Sequence, residues 1–95
     1  MTKEKCMNLN GLRLEIDKMD KRIIFLLKRR LAITKKIAMV KKKNNLPVED
    51  TNRENGVISN IKFLANLYEL DSSWLIAIFN LIIQKSKEEQ IKRLC

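Results

Sequence analysis

Histidine is absent from these 95 residues, which hold only two cysteines, one proline, two glycines and five aromatic side chains. Without imidazole, histidine-based acid-base catalysis is excluded and transition-metal sites lose their commonest ligand, so such a metal site is not expected. Cys6 and Cys95 stand near opposite ends without C-x-x-C spacing, the pattern of free thiols in a reducing compartment rather than of a disulfide framework. So little proline and glycine leaves few turns for a strand-rich architecture and points to helices. No stretch approaches the ~20 apolar residues of a membrane span, and Met1 to Lys5 shows no apolar signal core. The expectation is a soluble, cytoplasmic protein with no membrane partner.

Hydrophobic residues make up 45% of the chain and charged residues 33%, which excludes disorder and fits one helical domain. A monomer of this size buries only roughly two-thirds of the surface of its unfolded chain, so oligomerisation would add core. Twenty Lys and Arg against eleven Asp and Glu give a net charge of +9. A positive field favours an anionic partner, whether nucleic acid, acidic protein or small polyanion, and charge alone cannot choose among them.

Apolar residues recur at steps of four and three along Leu12, Ile16, Met19, Ile23, Leu26, Ile33, Ile37 and Val40, and the slot that breaks the stripe holds Arg30. Either this arginine snorkels, its stem packed and its head in water, or an anion meets it. The spacing predicts helix 1 over about 8–44, begun by an Asn cap and ended by Asn44-Asn45-Leu46-Pro47, since proline pushes the preceding residue out of the helical region. Helix 2 is expected over about 51–68, with Val57, Ile58, Ile61, Leu64, Ala65 and Tyr68 on one side and Gly56 weakening its first turns. Helix 3 is expected over about 72–93, capped from Asp71-Ser72-Ser73 and carrying Leu75, Ile78, Phe79, Ile82 and Ile83. Residues 1–7 form an N-terminal extension to a domain of residues 8–93.

Lys41 follows Arg30 by eleven residues, which at ~100° per residue returns within ~20° of the same face. It also belongs to the run Lys41-Lys42-Lys43, and such runs are usually solvated. On helix 3 the stripe Leu75, Phe79, Ile82 continues to Ser86 and Gln90, which are either an exposed helix end or neutral hydrogen-bonding groups in a seam. At the start of helix 2, Thr51-x-x-Glu54 reads as a capping box, whereas a cap at Asp50 would free Glu54 for a ligand. Arg13 lies seventeen residues before Arg30, ~25 Å along a straight helix, so it could share a small-molecule site only from a second, antiparallel chain. The two-fold axis would then pass near Ile24 or Phe25, where the stripe is unbroken.

Five segments together carry a family resemblance: L-R-x-x-I-D-x-x-D at Leu12 to Asp20, L-L-x-x-R at Leu26 to Arg30, I-A-x-x-K at Ile37 to Lys41, P-V-x-D-x-x-R-E at Pro47 to Glu54, and I-I-x-x-S-x-x-x-Q at Ile82 to Gln90. In this order and spacing the chain resembles the all-helical, AroQ-type chorismate mutases. The resemblance implies an all-α fold of three helices, one long, one short and one medium, in an intertwined antiparallel homodimer with shared active sites. It implies rearrangement of the dianion chorismate to prephenate, on the route to phenylalanine and tyrosine, with no cofactor or metal. Arg30, with Arg13 from the second chain, would clamp the substrate carboxylates, helped by Ser86. Lys41 and Gln90 would donate to the ether oxygen, Glu54 and the Asp50 region would hold the ring hydroxyl, and Arg53 would orient neighbouring carboxylates.

Three other readings compete. An isochorismate pyruvate-lyase shares the fold and binds a similar dianion, but P-V-x-D-x-x-R-E resembles the mutases better. A basic nucleic-acid-binding protein has only charge in its favour, and a bare coiled-coil module leaves Arg30, Ser86 and Gln90 unexplained.

Overall fold

The computed structural model describes residues 8–94, and the N-terminal extension expected over residues 1–7, with both cysteines, lies outside them. The described chain is helical, with no strand: α1 spans Leu9–Lys43, α2 Thr51–Leu67 and α3 Ser72–Leu94. Each helix begins at a side-chain cap that satisfies an otherwise orphaned backbone N–H. The Asn8 Oδ1 accepts from the Gly11 N–H at 2.6 Å, Asp50 Oδ1 from the Arg53 N–H at 3.0 Å, and Asp71 Oδ1 from the Ser73 N–H at 2.9 Å.

The helix ends follow from backbone geometry too. After α1, Asn45 turns left-handed (φ 55°), with Leu46 N–H donating to the Lys41 carbonyl at 2.8 Å and Asn45 N–H to that of Lys42 at 3.3 Å. This is a Schellman closure, and Asn tolerates its left-handed residue. After α2 the same closure falls on Glu69 (φ 56°), with Leu70 N–H donating to the Ala65 carbonyl at 2.8 Å. Glu69 is not a residue whose type announces that conformation.

The chain divides into two compact units, Met1–Ala32 and Ile33–Cys95. In the first, residues 8–32 are a helical stretch whose apolar stripe is exposed in the single chain: Leu12 is 38% exposed, Ile16 59%, Ile23 55% and Leu26 59%. The Arg29 guanidinium lies over the Phe25 ring at 5.9 Å, one turn away.

In the second unit, α2 packs along α3, and the end of α1 supplies a third wall. Its buried apolar residues are Ala38, Ile61 and Ala65, with Val57, Ile58, Leu64, Leu75, Phe79, Ile82 and Ile83 half-buried around them. Two sequence expectations change. Tyr68, expected on the same side of helix 2 as Ile61 and Ala65, is exposed, because it is the C-cap at the very end of the helix, beyond the buried Ala65. On α1, Ile33, Ile37 and Val40 are exposed in the single chain, and the row turned inward is Thr34, Ala38 and Lys41. Small and polar side chains face the neighbouring helices, and the large apolar ones face outward.

Gly56 lies on the exposed face of α2, where an added Cβ would meet nothing within 4 Å, and its φ is not positive. Gly56→Ala therefore carries no steric cost and removes backbone entropy from the unfolded chain. The expected outcome is a gain of ~0.5–1 kcal/mol, read as a rise of a few degrees in Tm at fixed protein concentration.

Candidate active site

Three polar side chains are buried among the described residues of the second unit: Thr34, Ser86 and Gln90. A buried polar group is costly unless paired, so their partners define the site. The Thr34 hydroxyl donates to Ser86 Oγ at 3.4 Å, joining α1 to α3. Two turns further along α1 and one turn further along α3, Lys41 Nζ donates to Gln90 Oε1 at 2.9 Å. The same ammonium donates to the Val48 carbonyl at 2.9 Å, which ties the loop between α1 and α2 to the end of α1.

This geometry has a chemical consequence. Gln90 presents its carbonyl oxygen to Lys41, so the amide N–H groups are what it has left to offer. An ammonium has three N–H bonds, and the two made by Lys41 leave one to donate elsewhere. A cationic and a neutral donor are thus fixed side by side where α1, α3 and the loop before α2 meet.

At the start of α2 the cap is Asp50. The capping box between Thr51 and Glu54 does not form, because with Asp50 as the cap the Glu54 N–H donates to the Asp50 carbonyl at 3.0 Å and the Glu54 carboxylate turns to α3. There it meets Lys87, whose Nζ lies 3.3 Å from Glu54 Oε2 and 3.1 Å from Glu49 Oε1. Hydrogen bonds to Glu49 first, then to Glu54, raise the Lys87 pKa above its ordinary 10.5, so this ammonium stays charged throughout the neutral range. The side chain of Asp50 serves its helix through Oδ1, and Arg53 is exposed. Among the described residues, no three side chains of the His, Cys, Asp or Glu type converge as metal ligands.

Lys41, Ser86, Gln90, Asp50, Arg53 and Glu54 all belong to the second unit. Arg13 and Arg30 belong to the first, Arg13 exposed and Arg30 half-buried. Thr34 and Lys87 carry interactions that no motif named. Thr34 had a signal, being a polar residue one turn after Arg30 and one before Ala38, in a row that ends at Lys41. Lys87 had none, since it sits among charged residues that look solvated.

An all-helical domain with a seam of buried hydrogen-bonding groups and a paired ammonium defines the class, a small helical protein with a polar seam between its helices. Residues 12–91 match the family model described as chorismate mutase type II, and the chain belongs to that family. It is 38% identical over 80 residues to a bifunctional chorismate mutase/prephenate dehydratase of Buchnera aphidicola subsp. Acyrthosiphon pisum, covering 84% of this chain and 21% of that protein. It is 30% identical over 78 residues to a protein of the same description from Enterobacter agglomerans, covering 82% and 20%. A chorismate mutase of Methanocaldococcus jannaschii is 29% identical over 82 residues, covering 86% and 83%. The chain thus spans about a fifth of the length of the bifunctional relatives and most of the length of the archaeal one.

Proposed function

We propose that this chain is a chorismate mutase, rearranging chorismate to prephenate on the route to phenylalanine and tyrosine. The observation that carries the proposal is the Lys41–Gln90 pair at 2.9 Å, two donors held together by a bond that also orients the amide. The reaction is a unimolecular pericyclic rearrangement in which the ether C–O bond breaks as a C–C bond forms. It needs no nucleophile and no acid-base pair, only a pocket that folds a flexible dianion into a compact chair and meets the charge growing on the ether oxygen. Lys41 and Gln90 supply those donors.

Arg30 and Arg13 of the partner subunit clamp the two carboxylates, a bidentate task to which guanidinium geometry is suited. Ser86, braced by Thr34, supports one of those contacts. Glu54 and the start of α2 at Asp50 hold the ring hydroxyl, and Arg53 orients carboxylates around them. The exposed stripe of Leu12, Ile16, Ile23 and Leu26 supports a homodimer built on it, because a lone amphipathic helix has nowhere else to bury such a face.

Purified protein should consume the ultraviolet absorbance of chorismate and yield acid-labile prephenate. Salicylate from isochorismate with no turnover of chorismate would select the lyase instead, and inertness toward both would sink the enzymatic reading.

A further inference from the structure

Lys87 bridges two carboxylates at the edge of the site. Its Nζ lies 3.1 Å from both oxygens of Glu49, and 3.3 and 3.5 Å from the two oxygens of Glu54. The three residues come from different places: Glu49 from the loop before α2, Glu54 from the first turn of α2, and Lys87 from α3 between Ser86 and Gln90. The carboxylates are unequal, since the side chain of Glu49 is 62% exposed and that of Glu54 27%. Glu49 acts as an outer anchor, and Glu54 faces inward.

Stability does not account for this arrangement, because partly exposed ion pairs contribute little to it. Electrostatics within the site does. A carboxylate such as Glu54 is a good acceptor for a substrate hydroxyl, yet its charge repels a dianion entering the same pocket. An ammonium within 3.5 Å offsets that repulsion while leaving oxygen lone pairs free to accept. The loop is also held from both sides, by Lys41 at the Val48 carbonyl and by Lys87 at Glu49. Glu54 is thereby positioned on a braced rim.

We propose that Lys87 is a positioning residue for substrate binding: it holds the Glu54 carboxylate toward the substrate hydroxyl and offsets the charge that would otherwise repel the dianion. The inference rests on the reading that the site takes chorismate, and Lys87 acts through Glu54 without touching the reacting atoms. The ring hydroxyl takes no part in bond making or breaking, so its hold is equal in ground and transition states, and losing it appears in KM rather than kcat.

The test is steady-state kinetics on chorismate with the full chain. Lys87→Met should raise KM by roughly tenfold, the scale of one charge-assisted hydrogen bond, with kcat within a factor of about two. Lys87→Arg should restore most of the lost affinity, and Lys87→Gln replaces Lys87→Met if the latter folds poorly. In a Glu54→Gln background, where no carboxylate needs a counter-charge, Lys87→Met should change KM by less than about twofold. Additive effects of the two substitutions, a fall in kcat at unchanged KM, or an unchanged KM would each overturn the inference while leaving the mutase reading intact. Absence of chorismate turnover by the wild-type chain would overturn both.

Discussion

Lys41→Ala lowers kcat/KM for chorismate by about 10²–10³-fold, the effect of removing one preorganised donor from a developing negative charge. Three losses coincide at this position. The ether oxygen loses a cationic N–H in the transition state. Gln90 loses the 2.9 Å bond that holds its carbonyl oxygen, so its amide is free to rotate and its N–H groups lose their aim. The Val48 carbonyl loses its tie to α1, which loosens the loop leading to Asp50 and Glu54. The first two act where charge grows during the reaction, so kcat should fall with kcat/KM while KM changes less. Lys41→Arg should not rescue, because a planar guanidinium cannot place single donors on both acceptors from the same stem. Circular dichroism and thermal unfolding separate a folded, inactive variant from an unfolded one. A folded Lys41→Ala protein retaining more than about a tenth of wild-type kcat/KM would show that the charge on the ether oxygen is met elsewhere.

Arg13→Ala and Arg30→Ala should each be nearly inactive alone and active together. In the proposed dimer each site takes Arg30 from one chain and Arg13 from the other, so a hybrid of the two variants holds one intact site and one doubly depleted site. Random mixing makes half of the dimers hybrids with one working site in two, and activity should reach about a quarter of wild type. Losing one bidentate clamp on a carboxylate leaves a charged group unpaired, which places each single variant roughly 10²-fold or more below wild type and the recovery well above background. Chains must be unfolded and refolded together, because an interface made of the exposed apolar stripe would exchange slowly. Recovery of activity establishes that two chains build one site. Mass spectrometry confirming hybrids without recovery would mean that both arginines serve from the same chain, or that one serves elsewhere.

Local chemistry made much of this protein legible. Three helices in order follow from period and punctuation: Asn8 and Asp71 are residues that accept a backbone N–H, and Asn45 ahead of Pro47 admits the left-handed turn that ends α1. Glu69 closes α2 in the same conformation, and nothing in its type says so, because the turn is held by a backbone bond from the Leu70 N–H to the Ala65 carbonyl in which the glutamate side chain has no part. The choice between Asp50 and Thr51 as the cap of α2 was open on sequence, since both residue types cap. It was closed when the Glu54 carboxylate found Lys87, 33 residues away.

The stripe on α1 shows the same division. Its period is readable, and so is the oddity of a cation at Arg30. Which of two adjacent rows turns toward α2 and α3 is not readable, because Ile33, Ile37 and Val40 are the more apolar row and are nonetheless exposed in the chain. Helix propensity, capping and the five family segments depend on residues within a few positions of one another, so the sequence by itself determined an all-helical chain and the family to which it belongs. Only the tertiary structure decided that Thr34, Ala38 and Lys41 face inward, that Lys41 orients Gln90, and that Lys87 joins Glu49 to Glu54. Those pairings link side chains 33 to 49 residues apart, and local preference carries no information about which distant partner will satisfy a charge or an amide.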